Sequence, residues 1–100
     1  MANSVDPLDL LEQSFAGVVR EMPNRFTFHD FVRTLAYRHQ HEYIAGLGHF
    51  QGNDRPFQAL HAELERRLHN GHYGLILINS SKQSKNIFGI SSRCGEWQKP

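Results

Sequence analysis

Residues 73–93, YGLILINSSKQSKNIFGISSR, decide the fold class, because here the helical spacing of apolar residues gives way to short apolar runs. The run Tyr73–Ile78 is rich in Leu and Ile, and residues 87–92 alternate weakly between apolar and polar. Between them, the segment Ser80–Asn86 is polar and contains no acidic residue. This pattern predicts a β-hairpin with a long loop. Because an isolated hairpin is only marginally stable in water, we expect it to pack on the rest of the chain. The apolar side chains available for this packing are Ile76, Ile78, Phe88 and Ile90.

The sequence before the hairpin predicts four helices. Apolar residues recur every three or four positions in four segments, which begin at Asp6, Thr27, His41 and Asp54. Thr27 and Asp30 are spaced as in a capping box, in which each side chain bonds the backbone N–H of the other residue. Asp6 and Asp54 are also favoured N-cap residues, and a proline follows each of them within two positions. The predicted order is therefore four helices followed by a two-stranded hairpin, which is an α+β domain.

The length of 100 residues fits a single domain, since domains contain roughly 100–200 residues. We expect residues 1–5 to be disordered, residues 6–70 to be helical, residues 73–93 to form the hairpin and residues 94–100 to form a tail. A hydrophobic fraction of 39% with a charged fraction of 21% is typical of a globular domain. Collagen-like, disordered and transmembrane compositions are excluded.

Cysteine content and the N-terminal sequence favour the cytoplasm. The chain has one cysteine, Cys94, whereas small secreted domains depend on cysteine pairs. The first residues contain neither a basic segment nor a long apolar stretch. The longest apolar run, Leu75–Ile78, is far shorter than the ~20 residues that span a bilayer. We therefore expect a cytoplasmic protein without a membrane partner.

Charge is distributed unevenly along the chain. Residues 1–65 contain nine acidic residues and five arginines, a net charge of −4. Residues 66–100 contain six basic residues and one acidic residue, Glu96, a net charge of +5. Every lysine lies in this second segment. Clustered charge creates a local field that the overall charge of +1 conceals, and such a field favours contact with an anion.

Helices followed by a hairpin with a lysine-bearing polar loop resemble the winged helix-turn-helix family over about residues 27–93. In that family the last helix enters the major groove and the hairpin contacts phosphates. The resemblance implies that the helix from Arg55 to His69 is the recognition helix and that the loop Ser80–Asn86 is the wing. It implies binding of double-stranded DNA. The residues implied in this contact are Arg55, Gln58, Arg66, Arg67, Lys82, Lys85 and Arg93.

The chain departs from the family pattern in its helical part. The connection Gly48–Arg55 is long for the turn between the two helices of the motif. Glu63 and Glu65 place acidic groups on the helix that would approach DNA. Arg66 and Arg67 lie near its C-terminal end, whereas base contacts come from the N-terminal residues.

Seven histidines raise the question of a metal site. His61, Glu65 and His69 recur every four residues, so they share one helical face and offer Zn²⁺ two imidazoles and a carboxylate. No HExxH-type motif accompanies them, so this trio is a secondary alternative and no metal or other cofactor is expected. Cys94 has no identifiable orienting group, and no nucleophile or phosphate-loop motif is present. No catalytic residue is assigned, and the sequence favours a binding module over an enzyme.

Two other functions remain open. One is a homodimeric protein-interaction domain without nucleic acid, because 11% aromatic residues exceed the obvious need of a small core and exposed ones would cover a second copy. In size and style the chain is also similar to the short proteins of bacterial mobile gene cassettes. The other function is a small-molecule site between the helices and the hairpin, lined by Phe and Tyr.

Overall fold

The computed structural model describes residues 6–100, so the predicted disorder of residues 1–5 lies outside the described part of the chain. The elements follow in the order α1 (Pro7–Glu12), α2 (Phe15–Glu21), β1 (Arg25–Thr27), α3 (Phe28–Arg38), α4 (Gln40–Gly48), α5 (Pro56–Asn70), β2 (Ile76–Lys85) and β3 (Ser91–Gln98). The predicted α+β class, with the helices first and a hairpin at the C-terminal end, is confirmed.

The helix predicted from Asp6 onward is interrupted and forms α1 and α2. Asp6 caps α1 as expected, since its Oδ1 accepts the N–H of Leu8 at 2.9 Å. After α1, the Ser14 N–H bonds the carbonyl of Leu11 at 3.0 Å, which is a tighter i→i−3 turn. The chain bends here, so α1 packs against α4 while α2 packs against α3, and both Leu11 and Phe15 are fully buried. Tertiary packing therefore decides the break.

The start of α3 confirms the predicted capping box. Thr27 Oγ1 accepts the Asp30 N–H at 3.1 Å, and Asp30 Oδ2 accepts the Thr27 N–H at 3.1 Å. Phe26 and Phe31 stack across this helix start with ring centroids 6.4 Å apart, as in a hydrophobic staple. Local chemistry is sufficient to specify this helix start.

A third strand, β1, is absent from the sequence prediction. It pairs antiparallel with one side of β3 while β2 pairs with the other side, so the sheet order is β1-β3-β2. Phe26 of β1 lies opposite Trp97 of β3, and both side chains are buried. A strand of three residues is too short to show an alternating pattern. The pairing places β3 in the centre of the sheet and leaves β2 as an edge strand.

The hairpin is displaced along the sequence from its predicted position. The segment Ser80–Asn86 is not a loop, because β2 continues through it to Lys85. Most of the predicted tail, residues 94–100, is also strand, because β3 extends to Gln98. The side chains of β2 beyond Ile78 are all polar, so they show no apolar alternation. The strand is therefore hidden from a reading of hydrophobic periodicity.

The turn of the hairpin lies where the second predicted strand was expected. Asn86 Oδ1 accepts the N–H groups of Phe88 at 2.9 Å and Ile90 at 3.1 Å. Gly89 adopts a φ of +77°, a conformation that glycine takes without steric strain. Together the asparagine and the glycine specify the reversal between β2 and β3.

The prediction that the apolar side chains of the hairpin pack on the helices is wrong. The four side chains expected to pack on the helices are 38–62% exposed: Ile76, Ile78, Phe88 and Ile90. The hairpin instead buries Cys94 and Trp97, which are 5% and 2% exposed. Because β2 is the edge strand, the central strand β3 provides the contact with the core.

Aromatic residues fill the interior of the protein. Phe15 and Phe31 meet edge to face with ring centroids 5.0 Å apart. Four phenylalanines are at most 2% exposed, namely Phe15, Phe26, Phe28 and Phe31. Phe50 and Phe57 are partly buried against the same core. The high aromatic content is thus used mostly in the core, and it gives little support to a partner surface.

Candidate functional site

Three of the predicted DNA contacts lie together on the β2–β3 hairpin. Lys82 and Lys85 are exposed on the edge strand β2, and Arg93 is exposed on β3 opposite Gln83. Arg93 Nη1 donates to Ser81 Oγ at 3.2 Å, which holds its side chain on the hairpin. Within residues 6–100 none of the three cations forms an ion pair. Their charges therefore remain available for an anion.

A fourth cation at the hairpin, Arg33, is missing from the sequence prediction. Arg33 lies on α3, and its Nη2 donates to the backbone carbonyl of Lys85 at 3.0 Å. It also approaches Asp30 at 3.5 Å, and its side chain is 53% exposed. The two positions are 52 residues apart, so only the folded chain brings Arg33 to the end of β2.

Arg67 has a structural role. Its side chain is 15% exposed and bonds three carboxylates, at 2.8 Å to Asp9, 2.9 Å to Glu12 and 2.7 Å to Glu63. These contacts tie α5 to α1. A guanidinium held by three carboxylates has little capacity left for phosphate, so the assignment of Arg67 to the DNA contact is corrected.

Arg66 and Glu63 form an exposed pair on the neighbouring face of α5. Arg66 Nη2 lies 2.6 Å from Glu63 Oε2. Hydrogen bonds from Arg66 and then Arg67 lower the pKa of Glu63 from 4.5 to about 2, so this carboxylate stays ionised. The local charge around Arg66 is therefore largely neutralised.

The start of α5 differs slightly from the predicted Asp54 cap. Arg55 occupies the N-cap position, and its backbone N–H donates to Asn53 Oδ1 at 2.9 Å. Arg55 is exposed and forms no ion pair in the described part of the chain. Gln58, one turn later, is also exposed and lines a cavity beside the hairpin. Both predicted residues are thus accessible.

The face of α5 that carries His61, Glu65 and His69 is turned toward the sheet, but the three side chains have separate partners. His61 Nε2 lies 2.6 Å from the hydroxyl of Tyr43, and Glu65 Oε2 accepts the backbone N–H of Gly95 at 2.7 Å. The ring of His69 packs 5.4 Å from that of Trp97. Residues 6–100 contain no group of three or more side chains placed to hold a metal ion. The three side chains of the alternative zinc trio therefore do not converge on one point.

These contacts also correct the expected effect of Glu65 on DNA. Its carboxylate is directed to the backbone of β3 and not to the outer face of α5.

Burial, and then the nearby His29, lower the pKa of His61 from 6.5 to about 4. Burial raises the pKa of Tyr43 to about 12, so its hydroxyl keeps its proton and can donate to the neutral imidazole.

His29 joins α3 to the hairpin. It is 6% exposed, and its Nδ1 lies 2.5 Å from Ser84 Oγ. Its Nε2 lies 3.3 Å from Ser92 Oγ, so both ring nitrogens have hydroxyl partners from the two paired strands. Burial lowers the pKa of His29, which favours the neutral ring. Cys94 lies behind this contact, with Sγ 3.7 Å from Ser84 Oγ.

Two clefts lie between α5 and the sheet. The first has a volume of about 220 Å³ and reaches from the aromatic rings of Phe57 and Phe88 to His29. The second has a volume of about 370 Å³ and lies over Gly95. Glu65 lines both clefts, so they adjoin along α5. The space between helices and hairpin that the sequence left open is therefore present.

Comparisons with known protein families, with curated proteins and with solved structures give no match for this chain. Among residues 6–100, each helix is too short or too polar to cross a lipid bilayer.

Proposed function

We propose that this protein binds double-stranded DNA and that Lys82, Lys85 and Arg93 of the hairpin contact the phosphates. The observation that carries the proposal is that these three cations occupy exposed positions of the strand pair and form no ion pair within residues 6–100. The hairpin contains no acidic residue from Ile76 to Gly95. A two-stranded segment whose charged side chains are all basic is suited to the phosphate backbone, which dominates non-specific affinity for DNA.

Hydrogen-bonding side chains on the same strand pair support this proposal. Ser81 and Gln83 are exposed on β2 between the two lysines or next to them. Hydroxyl and amide groups add contacts to phosphate oxygens that position a protein on the duplex without reading its sequence. Arg55 and Gln58 at the exposed start of α5 are the candidates for contacts with bases, as the winged helix-turn-helix resemblance implies.

The test is a titration of labelled random-sequence duplex followed by fluorescence anisotropy at about 50 and 200 mM salt. Each phosphate contact contributes about −0.9 to the slope of log affinity against log salt. Three contacts predict a slope of about −2.7, which is roughly a 40-fold loss of affinity over this range. The variant Lys82→Gln with Lys85→Gln retains one contact, so its loss falls to roughly 3- to 4-fold.

The matched control is Arg20→Gln with Arg25→Gln, which removes the same charge from exposed positions of α2 and β1. β1 is the sheet edge opposite β2, so these charges lie away from the hairpin. We expect the control to keep the wild-type slope. Equal slopes for the two double variants, or no binding of wild type at low salt, would refute the hairpin interface.

A homodimer is the second candidate function, and the exposed edge of β2 favours it. Ile76 and Ile78 are 56% and 38% exposed on a strand whose outer backbone groups have no strand partner in residues 6–100. Such edges invite pairing with another chain. Antiparallel pairing of two β2 strands through this apolar end would shield these side chains from water.

A further inference from the structure

Trp97 carries an unusual buried donor. The side chain is 2% exposed, and its Nε1 is the one buried side-chain nitrogen or oxygen without a hydrogen-bond partner in residues 6–100. Buried polar groups almost always have partners, because an unpaired donor loses its hydration without compensation. The indole N–H therefore lacks the acceptor that a buried donor normally has.

Gly95 lets the side chains of Glu65 and Trp97 approach the strand closely at this donor. A β-carbon at this position would lie 2.9 Å from Glu65 Oε2 and 3.1 Å from Trp97 Nε1. The indole N–H and the carboxylate therefore border the same space. Glu65 Oε2 already accepts the Gly95 N–H, but a carboxylate has about four acceptor sites, and Glu65 forms no ion pair in the described chain. A donor and an acceptor thus stand side by side.

The cleft above Gly95 has the size and walls of a site for a flat ligand. Its volume of about 370 Å³ is within the usual range of roughly 300–1,000 Å³ for small-molecule pockets. The ring of His69 packs against Trp97 at 5.4 Å on one side, and Leu77 lines the same cleft. Aromatic and aliphatic walls of this kind accept planar rings by stacking.

Two cations of the hairpin lie close to this cleft along their strands. Ser80 of β2 and Gly95 of β3 line it. Lys82 follows Ser80 by two positions, and Arg93 precedes Gly95 by two positions. Arg66 also lines the cleft, but its pairing with Glu63 neutralises much of its charge, so the two hairpin cations are the relevant ones. A nucleotide whose base enters the cleft would therefore have positive charge near its phosphate.

We propose that this cleft binds a nucleobase, such as adenine, that presents an N–H donor beside an acceptor. Trp97 Nε1–H donates to the acceptor of the base, and the Glu65 carboxylate accepts from its donor. Adenine offers N7 and the exocyclic N6 amino group in this arrangement. If the base belongs to a DNA strand, this inference rests on the proposed function. A free nucleotide offers the same base and the same contacts. A base within a duplex must leave the stack to enter such a pocket.

The first experiment uses Trp97 as its own reporter, because it is the single tryptophan of the chain. The protein is titrated with adenosine 5′-monophosphate, and with ribose 5-phosphate as the control that lacks the base. We expect a saturable change of tryptophan fluorescence with the nucleotide alone. No change with either compound, or an equal change with both, would overturn the proposal.

The second experiment tests the two contacts by isothermal titration calorimetry with adenosine 5′-monophosphate. Trp97→Phe removes the N–H and keeps a ring, and Glu65→Gln removes the carboxylate charge and keeps the shape. Loss of one hydrogen bond to a buried group predicts about tenfold weaker binding for each variant. Because Trp97→Phe also leaves a cavity in the core, its melting temperature is measured first to confirm that the variant is folded at the titration temperature. Wild-type affinity in both folded variants would contradict the assignment.

A third arm separates this cleft from the hairpin interface. Lys85→Gln, which removes a hairpin cation away from the cleft, should weaken duplex binding and leave the fluorescence response to the free nucleotide in place. A single-stranded oligonucleotide that adenosine 5′-monophosphate displaces would identify a base of a strand as the occupant. Nucleotide binding without any affinity for DNA would support the nucleobase site, with a free nucleotide as its occupant. It would refute only the proposed DNA interface on the hairpin.

Discussion

Replacing Arg67 with methionine separates the structural role of this residue from the DNA contact that the sequence implied. Methionine keeps much of the apolar stem but removes the guanidinium that bonds Asp9, Glu12 and Glu63 at 2.7–2.9 Å. The change leaves three carboxylates near one another without their shared cation. The substitution should therefore loosen the packing of α1 on α5.

The expected loss of stability lies between two limits. Breaking a fully buried ion pair costs about 3–5 kcal/mol, and an exposed pair contributes about 0.2–1 kcal/mol. Arg67 is 15% exposed, but its partner Asp9 is 61% exposed, so solvent screens part of the interaction. We expect Arg67→Met to cost about 2–3 kcal/mol at neutral pH. At about 4–8 °C per kcal/mol for a domain of this size, the melting temperature should fall by about 10–20 °C.

The assay is thermal unfolding followed by circular dichroism, with Arg66→Met as the matched control. Arg66 is the neighbouring arginine and shares the partner Glu63, but its side chain is 59% exposed. The control should lower the melting temperature by only about 1–8 °C, since an exposed ion pair contributes about 0.2–1 kcal/mol. Equal shifts for the two variants would refute the reasoning, as would a fall in DNA affinity of folded Arg67→Met without any change in stability.

The pH dependence gives a second readout of the same network. The pKa of Glu63 is lowered from 4.5 to about 2 in the folded protein. A lowered carboxyl pKa adds stability above the unfolded pKa, and this contribution is lost as pH falls through the folded pKa. The difference in stability between wild type and Arg67→Met should therefore be largest near neutral pH and shrink from about pH 4.5 toward about pH 2. A difference independent of pH over this interval would contradict a charge-based role.

Two further predictions concern His61 and the edge strand. Because the folded pKa of His61 is about 4 against 6.5, the unfolded chain binds the proton first, so stability should fall as pH drops from about 6.5 toward about 4. His61→Gln should flatten this dependence in urea titrations, whereas the exposed His41→Gln should not, and identical pH profiles would count against the assignment. For the homodimer, light scattering at micromolar concentration should give twice 11.5 kDa, and Ile78→Lys should halve the mass. A wild-type monomer at that concentration would exclude β2 pairing.

The parts of the candidate site that depend on local sequence could be predicted. The lysines of the hairpin and the shared face of His61, Glu65 and His69 follow from spacing alone. Their partners could not be predicted, because Glu65 bonds a backbone group 30 residues away. Arg67 bonds carboxylates 55 and 58 residues away, which turns a candidate DNA contact into a structural link.

Elements with local causes follow from the order of residues alone: the Asp6 cap of α1, the capping box at Thr27, the apolar stripe of α5 and a C-terminal hairpin. The tertiary structure decided the third strand, the break between α1 and α2, and the position of the hairpin turn. The difference comes from the sequence distance between the residues that interact. Caps and helical stripes depend on groups within a few residues, whereas strand pairing, burial of Trp97 and the clefts beside α5 depend on distant segments meeting in the folded chain.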